Sequence, residues 1–465
     1  MTSQPRRYRF AARACALVAV AALVSVLPCI TARAQEKSSM ALYTESQQLH
    51  TRKFLDGFLQ SMPGLQRIWT GDDFCDWEAV TCLGNGVSIS AIGWAQLAVF
   101  PGRLPEVPST DVDVSQVLVT SITVRSSGWN LSGTLPASWG LLRNLRKVHL
   151  ERNSLTGSLP PEWSGLGGLV ELSLCNNHLT GTLPPSWGES MRRLSFLSLD
   201  RNALVGTLPP EWGGMKSLRS LMLEENRLDG TLPVAWGLLP GVSTLSIGMN
   251  ALSGTLPREW AQLMMMEWMG LQSNRLTGTL PAAWSTMAFL TTLRLSGNSF
   301  TGTLPAEWGS LTLLEELHLG GNALIGPLPT SWSDMASLTQ LRLERNSLVG
   351  SLPTAWSRMT LMEVLDVSKN ALSGTLPVSW SSMQHLDTLS ASYNKLCGPL
   401  PVSWTTLPAI QYVHLEGNAL CGSIPAEWTG RYVTITVDGP LMGLNCSDVN
   451  TCNEVSNHSV SLTHG

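Results

Sequence analysis

The stretch Gly302-Thr303-Leu304-Pro305-Ala306-Glu307-Trp308 is one copy of a motif, Gly-x-Leu-Pro-x-x-Trp, that recurs along this chain of 465 residues. Consecutive copies are 24 residues apart, except for one interval of 25 residues between Gly181 and Gly206. A fixed period in this range is typical of solenoid proteins, in which each copy forms one coil that stacks on its neighbours. The motif glycines are Gly133, Gly157, Gly181, Gly206, Gly230, Gly254, Gly278, Gly302, Gly326, Gly350, Gly374, Gly398 and Gly422.

Each copy also carries a leucine pattern ahead of the motif, and residues 290–308 are a typical example. Leu293 and Leu295 alternate with polar residues, as in a short strand with one buried face. Asn298 follows, and its amide can bond backbone groups where the chain turns away from the strand. Glycine then permits a positive φ, and proline needs no hydrogen-bond donor on the return path. We predict an α/β-type repeat solenoid with short parallel strands on a concave face and an irregular convex side.

The N-terminus has the features of a secretory signal peptide. Residues 1–34 contain five arginines and no acidic residue, and residues 14–27 form an uncharged apolar run too short to span a bilayer comfortably. Ala32-Arg33-Ala34 is a small-x-small cleavage site, so we expect the mature chain to begin at Gln35. No later stretch is long and apolar enough to span a membrane, and the polar tail lacks a lipid-anchor signal. We therefore expect no transmembrane segment after signal removal.

The charge balance argues against a nucleic-acid partner. The chain has 30 basic and 34 acidic residues, a net charge of −4, which becomes 25 − 34 = −9 without the five arginines of residues 1–34. A mildly acidic chain without a basic block is a poor ligand for nucleic acid.

Cysteines mark both ends of the predicted array. Near the start, residues 47–69 have apolar side chains at helical spacing, and Pro63 should end or kink this helix. Cys75 and Cys82 follow, at a separation that suits a disulfide-closed lid over the first coil.

Four cysteines near the C-terminus, Cys397, Cys421, Cys446 and Cys452, allow three pairings. A Cys397–Cys421 bond is geometrically possible because the two residues occupy the same slot of adjacent coils. The alternative pairs them with Cys446 and Cys452, and we favour it because it covers the end of the solenoid. Cys175 is left over, and we expect it to be an unpaired thiol.

These observations predict six segments. They are a signal peptide at 1–34, an N-terminal helical and disulfide cap at 35–82, irregular first repeats at 83–128, the regular array at 129–428, a C-terminal cap at 429–452 and a polar tail at 453–465.

The repeated residues are those of the leucine-rich repeat, in a form similar to the plant extracellular subclass. A closer resemblance is to the promastigote surface antigen family of trypanosomatid parasites. It rests on the Gly-Thr-Leu-Pro-x-x-Trp-x-x-Met unit, the lead-in at 65–75 and Leu104-Pro105-Glu106-Val107-Pro108, and it covers about 45–452. The resemblance implies an exported glycoprotein, displayed on the cell surface or released, that contacts host cells. Because the family's Thr/Ser/Pro-rich stalk and anchor tail are not found in this sequence, we expect release.

The sequence contains no constellation typical of an enzyme. Ser, His and Asp do not gather at the spacing of a catalytic triad, no glycine-rich phosphate loop follows a strand, and metal ligands are not clustered. We expect no enzyme activity, no cofactor and no metal. Thirteen tryptophans from Trp139 to Trp428 keep the repeat period, and we expect them to pack between coils rather than to form a row that binds sugars or membrane.

Function is expected on the concave face. Strand residues four and two positions before each asparagine should point away from the core there. By this rule the early coils present acidic side chains and later coils present basic ones, a polarity that could orient a partner protein. The alternative is a solvated sheet with incidental charges. The expected binding residues are Glu151, Asp200, Glu224, Arg294, His318, Arg342, Glu344 and Arg345.

Our hypothesis is an exported monomer that binds partner proteins through this face, with host cell-surface or matrix proteins as the partner class that the resemblance implies. One alternative is a structural coat or shield protein without a specific ligand. A weaker one, by analogy of fold alone, is an inhibitor of a secreted enzyme. Asn130 and Asn457 lie in sequons and are the expected glycosylation sites.

Overall fold

A computed structural model describes residues 40–91, 102–108, 111–125, 131–428, 433–438, 442–447 and 452. The chain forms two compact units, Met1–Leu179 (unit 1) and Thr180–Gly465 (unit 2), which are described separately below. The predicted signal peptide and the sequons at Asn130 and Asn457 lie outside the described residues.

Unit 1 begins with the predicted helix, which spans Glu45–Ser61. Thr44 and Gln47 form a capping box at its start, each side chain bonding the other residue's backbone N–H. Pro63 opens a separate 3₁₀ turn, so the prediction that this proline ends the helix is confirmed. The Cys75–Cys82 disulfide follows, with a Cα–Cα distance of 5.5 Å.

The strands of unit 1 form a main sheet and a second, smaller sheet. The first two strands of the main sheet are antiparallel and the others are parallel. The main sheet comprises Val80–Leu83, Gly86–Ala91, Val119–Val124, Lys147–His149 and Glu171–Ser173, and the second comprises Gly102–Arg103, Leu131–Thr134 and Ser154–Thr156. The 3₁₀ turns are Met40–Leu42, Pro63–Arg67, Phe74–Asp76, Val114–Gln116, Ala137–Leu141 and Pro161–Gly165.

Unit 2 repeats one coil: a main-sheet strand, an asparagine turn, a second strand and a 3₁₀ turn. Its main sheet is parallel, and equivalent residues pair one repeat apart, as Leu293 does with Leu317. The main-sheet strands are Phe196–Ser198, Ser220–Met222, Thr244–Ser246, Trp268–Gly270, Thr292–Arg294, Glu316–His318, Gln340–Arg342, Val364–Asp366, Thr388–Ser390, Tyr412–His414 and Thr434–Thr436.

The second strands of unit 2 are Val205–Thr207, Arg227–Asp229, Ser253–Thr255, Arg275–Thr279, Ser299–Thr301, Ile325–Pro327, Ser347–Ser351, Ala371–Thr375, Lys395–Pro399 and Ala419–Cys421. The 3₁₀ turns are Pro210–Gly214, Val234–Leu238, Arg258–Gln262, Ala282–Thr286, Ala306–Ser310, Thr330–Asp334, Thr354–Arg358, Val378–Ser382, Val402–Thr406 and Ala426–Trp428. In the coil with the 25-residue interval, a short α-helix, Ser186–Ser190, takes the place of the 3₁₀ turn.

The asparagine of each coil satisfies backbone groups that no strand can reach. In the coil that contains residues 290–308, Oδ1 of Asn298 accepts a hydrogen bond from the Leu276 N–H at 3.0 Å. Its Nδ2 donates to the carbonyls of Leu271 at 3.0 Å and Leu295 at 3.1 Å. One side chain therefore connects two coils and pairs three backbone groups that would otherwise lack partners.

Residues of the Gly302–Trp308 motif contact the neighbouring coils, and these contacts explain why the motif is repeated. Gly302 has a φ of +76°, and a Cβ there would lie 2.9 Å from the methyl carbon of Thr279. The Pro305 carbonyl accepts a hydrogen bond from Nε1 of Trp332 at 2.9 Å, and Trp308 donates to Pro281 at 3.0 Å.

The motif tryptophans are buried, and most neighbouring pairs within unit 2 are stacked, with ring centroids 6.2–6.5 Å apart. The prediction that these rings pack between coils is confirmed.

At the C-terminal end the structure pairs Cys397 with Cys452 and Cys421 with Cys446. Both Cα–Cα distances are 5.4 Å. This is the favoured alternative, in which cysteines of the last regular coils bond residues that follow the array.

We predict that Asn298→Ala lowers the free energy of unfolding by about 2–4 kcal/mol, because it removes three hydrogen bonds and leaves backbone groups unsatisfied. The exposed neighbour supplies the control, since Ser299→Ala should change stability by less than about 0.5 kcal/mol. Urea unfolding followed by tryptophan fluorescence measures both. Equal stabilities of the two variants would contradict this role of the asparagine.

Candidate protein-binding face

The predicted later residues of the concave face are neighbours in unit 2. Arg294, His318 and Arg342 are the last residues of three consecutive main-sheet strands, and the register pairs Arg294 with His318 and His318 with Arg342. Adjacent strands lie about 4.8 Å apart, so the two arginine backbones are separated by about 10 Å. All three side chains are half-buried.

The three predicted acidic residues all have partners within their own unit, and two of them are buried. In unit 1, Glu151 is buried and forms an ion pair with Arg125. In unit 2, Asp200 is buried and accepts a hydrogen bond from the Ser198 hydroxyl at 2.6 Å. Glu224 accepts from Ser246 at 2.9 Å and from Nε2 of Gln272 at 2.8 Å. Side chains of the chain itself therefore bind all three carboxylates.

Burial also changes the protonation of Asp200. It raises the pKa of this carboxyl to about 6, although the hydrogen bond from Ser198 acts in the opposite direction. The folded chain therefore binds this proton more tightly than the unfolded chain does. The resulting stability is present at low pH and is lost as pH rises through about 6.

The basic end has a different character. The Arg294 guanidinium contacts the Glu316 carboxylate at 2.6 Å and lies 5.9 Å from the centre of the Trp268 ring. Burial, together with the charges of Arg294 and Arg342, lowers the pKa of His318 to about 3, so its imidazole is neutral at physiological pH. The Arg342 guanidinium forms no ion pair or hydrogen bond with the described part of the chain.

The last two predicted residues lie beside this cluster. The Glu344 carboxylate lies over Gly320, where a Cβ would collide with it, and burial raises the pKa of Glu344, with Asp366 adding to the effect. Arg345 is exposed in the turn after the strand, with a φ of +55°. It therefore lies in the turn, which corrects its placement on the strand face.

The sequence analysis considered only the residues four and two positions before each asparagine. It therefore missed the first residue of each main-sheet strand, which lies six positions before the asparagine. This position faces the same way because side chains alternate along a strand. It holds Trp268 and Glu316, and the Trp268 ring occupies the space above Gly270 that a Cβ would fill. The signal was present in the sequence, since Trp268 is a tryptophan outside the 24-residue tryptophan period.

Three further observations bear on the sequence predictions. Cys175 is buried and disulfide-bonded, so the expectation of an unpaired thiol is wrong. Among the residues that the structure describes, no group of three or more His, Cys, Asp or Glu could hold a metal ion. In the same residues, no helix is both long and apolar enough to cross a bilayer.

The repeat, the main sheet with one strand per coil and the asparagine turns give the chain a leucine-rich-repeat solenoid fold. The leucine rich repeat family model matches residues 143–204 and 288–348. The chain is also similar to the surface membrane glycoprotein GP46/M-2 of Leishmania amazonensis, with 37% identity over 146 residues. This match covers 31% of the chain and 29% of the relative, so the chain spans less than a third of that protein's length. This match confirms the resemblance to trypanosomatid surface antigens.

The comparison with solved structures also indicates the leucine-rich-repeat fold. The crystal structure of a TDR receptor matches with a TM-score of 0.66 and 27% identity, over 74% of this chain and 64% of that one. The leucine-rich-repeat ectodomain of the Arabidopsis receptor kinase HAESA, crystallised with a peptide hormone ligand, matches with a TM-score of 0.60 and 26% identity, over 85% and 74%. A leucine-rich-repeat protein of Leptospira interrogans matches with a TM-score of 0.54 and 26% identity, over 74% and 90%.

We predict that Asp200→Asn raises the free energy of unfolding at pH 7.5 by on the order of 1–2 kcal/mol, because the wild-type carboxylate must ionise while buried. The gain should shrink as pH falls below about 6 and approach zero below about pH 3, where the wild-type group is protonated in both states. Urea titrations at several pH values measure the difference. The exposed Asp229→Asn is the control, and a gain that does not depend on pH would contradict the assignment.

Proposed function

We propose that this chain is an exported leucine-rich-repeat protein that binds a protein or peptide partner through the concave face of unit 2. The partner class that we propose is a protein of the host cell surface or matrix. The centre of the binding site is the basic cluster, defined as Trp268, Arg294, Glu316, His318 and Arg342.

The observation that carries the proposal is the state of Arg342. It is a half-buried cation without an ion pair in the described part of the chain, and its neighbour His318 is neutral. A partly buried charge is unfavourable unless a partner neutralises it, so a carboxylate of a bound protein would find a prepared site here. Trp and Arg are also the residue types that contribute most to binding at protein interfaces.

The comparisons support the coarser part of the proposal. The relative in Leishmania amazonensis is a surface membrane glycoprotein, which supports a surface or extracellular location. The HAESA ectodomain has the same fold and was crystallised with a peptide hormone ligand, which supports peptide or protein binding by this fold. The host partner is our own inference from the family resemblance.

The variants Arg342→Glu and Trp268→Ala test the site. The first replaces the cation that lacks an ion pair with an anion, and the second removes the exposed part of an aromatic side chain. Each should weaken partner binding by roughly tenfold or more, because such residues typically contribute above about 1.4 kcal/mol. Arg294→Glu is a poorer test, since it would place a second carboxylate beside Glu316 and so affect folding.

The assay begins with a pull-down from host cells using the mature chain, followed by saturable binding of the purified partner. Arg275→Glu is the matched control, because Arg275 is exposed on a second strand away from the concave face. Unchanged affinity for Arg342→Glu and Trp268→Ala, with urea midpoints like the wild type, would sink the site assignment. Only non-saturable binding to host cells would favour the alternative of a shield protein.

A further inference from the structure

The short segments that lead into the main-sheet strands of unit 2 carry a strip of apolar and acidic side chains. We define the strip as four residues in each of six consecutive coils, at 264–267, 288–291, 312–315, 336–339, 360–363 and 384–387. Backbone hydrogen bonds stack these segments: the Thr291 N–H donates to the Glu267 carbonyl and the Glu315 N–H to the Thr291 carbonyl, each at 2.8 Å. Residues in the same slot of successive segments are therefore neighbours, with backbones about 4.8 Å apart.

The apolar side chains of the strip are large and exposed to solvent. Met265, Phe289 and Leu313 fill the second slot of three consecutive segments, and Met264 and Leu361 extend the apolar surface on either side of them. Each of these five side chains belongs to a residue that is 43–51% exposed. A contiguous exposed apolar surface with a charged border is typical of an interaction site.

The acids of the strip occupy its fourth slot and have no cation beside them. Glu267, Glu315 and Glu363 fill this slot in alternate coils, and Asp387 fills it in the last coil. None of the four forms an ion pair within the described residues, and the six segments contain no Lys or Arg. The strip therefore combines apolar surface with negative charge that the fold does not neutralise.

The charges next to the strip restrict what can lie on it. The equivalent segments of the two earliest coils of unit 2 carry four exposed cations, and the segment in between, 240–243, is uncharged. A basic partner would be repelled by the earlier segments and attracted to the strip. Nucleic acid and membranes rich in anionic lipid are excluded as occupants of the strip, because its acids would repel them. The four cations are Arg192, Arg193, Lys216 and Arg219.

The spacing of the acids matches the repeat of an α-helix. Glu267, Glu315 and Glu363 are each two coils apart, which is about 10 Å, and residues seven apart on a helix are separated by about 10.5 Å. A helix that lies along the strip would therefore set cations at i, i+7 and i+14 against the three acids. Apolar residues of the same helix face would contact the apolar slot. From Met265 to His385 the strip is about 24 Å long, the length of a helix of about 16 residues.

A pocket lies at the end of the strip. Its volume is about 530 Å³, and its lining includes Glu363 and Asp387 together with the apolar Pro408 and Ile410. Oδ2 of Asp387 accepts a hydrogen bond from the Thr388 hydroxyl at 3.0 Å, whereas Oδ1 has no donor in the described part of the chain. An apolar wall beside two carboxylates suits a lysine side chain, whose methylene stem packs on apolar surface while its ammonium group meets the acids.

We propose that the strip binds a basic amphipathic α-helix of a partner protein, with the helix axis along the row of coils. The apolar face of the helix covers Met265, Phe289 and Leu313, and its lysines or arginines pair with the acids of the fourth slot. Because these acids are exposed, the affinity should fall as the salt concentration rises. This surface is separate from the basic cluster of the concave face, and neither proposal depends on the other.

The probe for the test is a fluorescently labelled peptide of about 16 leucines and lysines, ordered so that the leucines form one face of a helix. Fluorescence anisotropy should show saturable binding to the mature chain. A peptide of the same composition without the helical period should bind at least tenfold more weakly. A peptide with glutamate in place of every lysine should not bind, since the strip would repel it.

Charge reversals in the chain locate the site. Glu315→Arg with Glu363→Arg should weaken peptide binding by roughly tenfold or more, because two attractive contacts become repulsive. The fold should tolerate both changes, since Arg219 fills the same slot in an earlier coil. Glu259→Arg with Glu307→Arg is the matched control: it makes the same change in net charge at exposed acids on 3₁₀ turns, and it should leave binding unchanged.

Two further variants test the apolar contact and the independence of the two surfaces. Leu313→Ser should weaken peptide binding by roughly fivefold, because the exposed part of this side chain would no longer be covered. Ser337 fills the same slot in the next coil, so the substitution should leave the urea midpoint close to the wild-type value. Arg342→Glu, on the concave face, should not change peptide binding.

Three results would overturn the proposal. The first is the absence of saturable peptide binding, or equal affinity of the wild type and the Glu315→Arg, Glu363→Arg variant. The second is binding to phosphatidylcholine vesicles that Leu313→Ser abolishes, which would assign the strip to a membrane surface. The third is self-association of the wild type that the same charge reversals abolish, which would assign it to a second copy of the chain.

Discussion

The structure depends on the side chain of one asparagine per coil. Where the chain leaves the main sheet, its backbone N–H and C=O groups lose strand partners while remaining shielded from water. In the coil that contains residues 290–308, Asn298 supplies one acceptor and two donor contacts, and its bonds to Leu276 and Leu271 join this coil to the preceding one. They act together with the main-sheet hydrogen bonds and the Trp–Pro hydrogen bonds, which also connect neighbouring coils.

The same regularity explains how much of the fold the sequence could predict. A 24-residue period with glycine, proline, asparagine and tryptophan in constant slots determines which residues face the core, so the coil, the burial of the Trp308-type rings and the helix end before Pro63 followed directly. The two disulfides at the C-terminal end needed coordinates, because spacing allows Cys397 to reach either an adjacent coil or the segment after the array.

The candidate site was predicted less completely, for a physical reason. Periodicity gives the direction of a side chain but not its partner in another coil. Glu151 and Asp200 were placed on the right face, yet Arg125 and Ser198 occupy their carboxylates. Conversely, Arg342 gains importance because no such partner is present among the described residues. Function is therefore to be sought where the sequence departs from the repeat, as it does at Trp268, since the repeated residues serve the stacking of coils.

The central claim is that the concave face of unit 2 binds a protein partner, and the most direct test is hydroxyl-radical footprinting of the chain with and without the partner recovered by pull-down. Trp268 is half-buried at the first position of its main-sheet strand, so its oxidation reports on this face. We predict that the partner protects Trp268, while Val205 and Ile325 on the second strands remain as reactive as before. Protection of the second strands with Trp268 unchanged would contradict it.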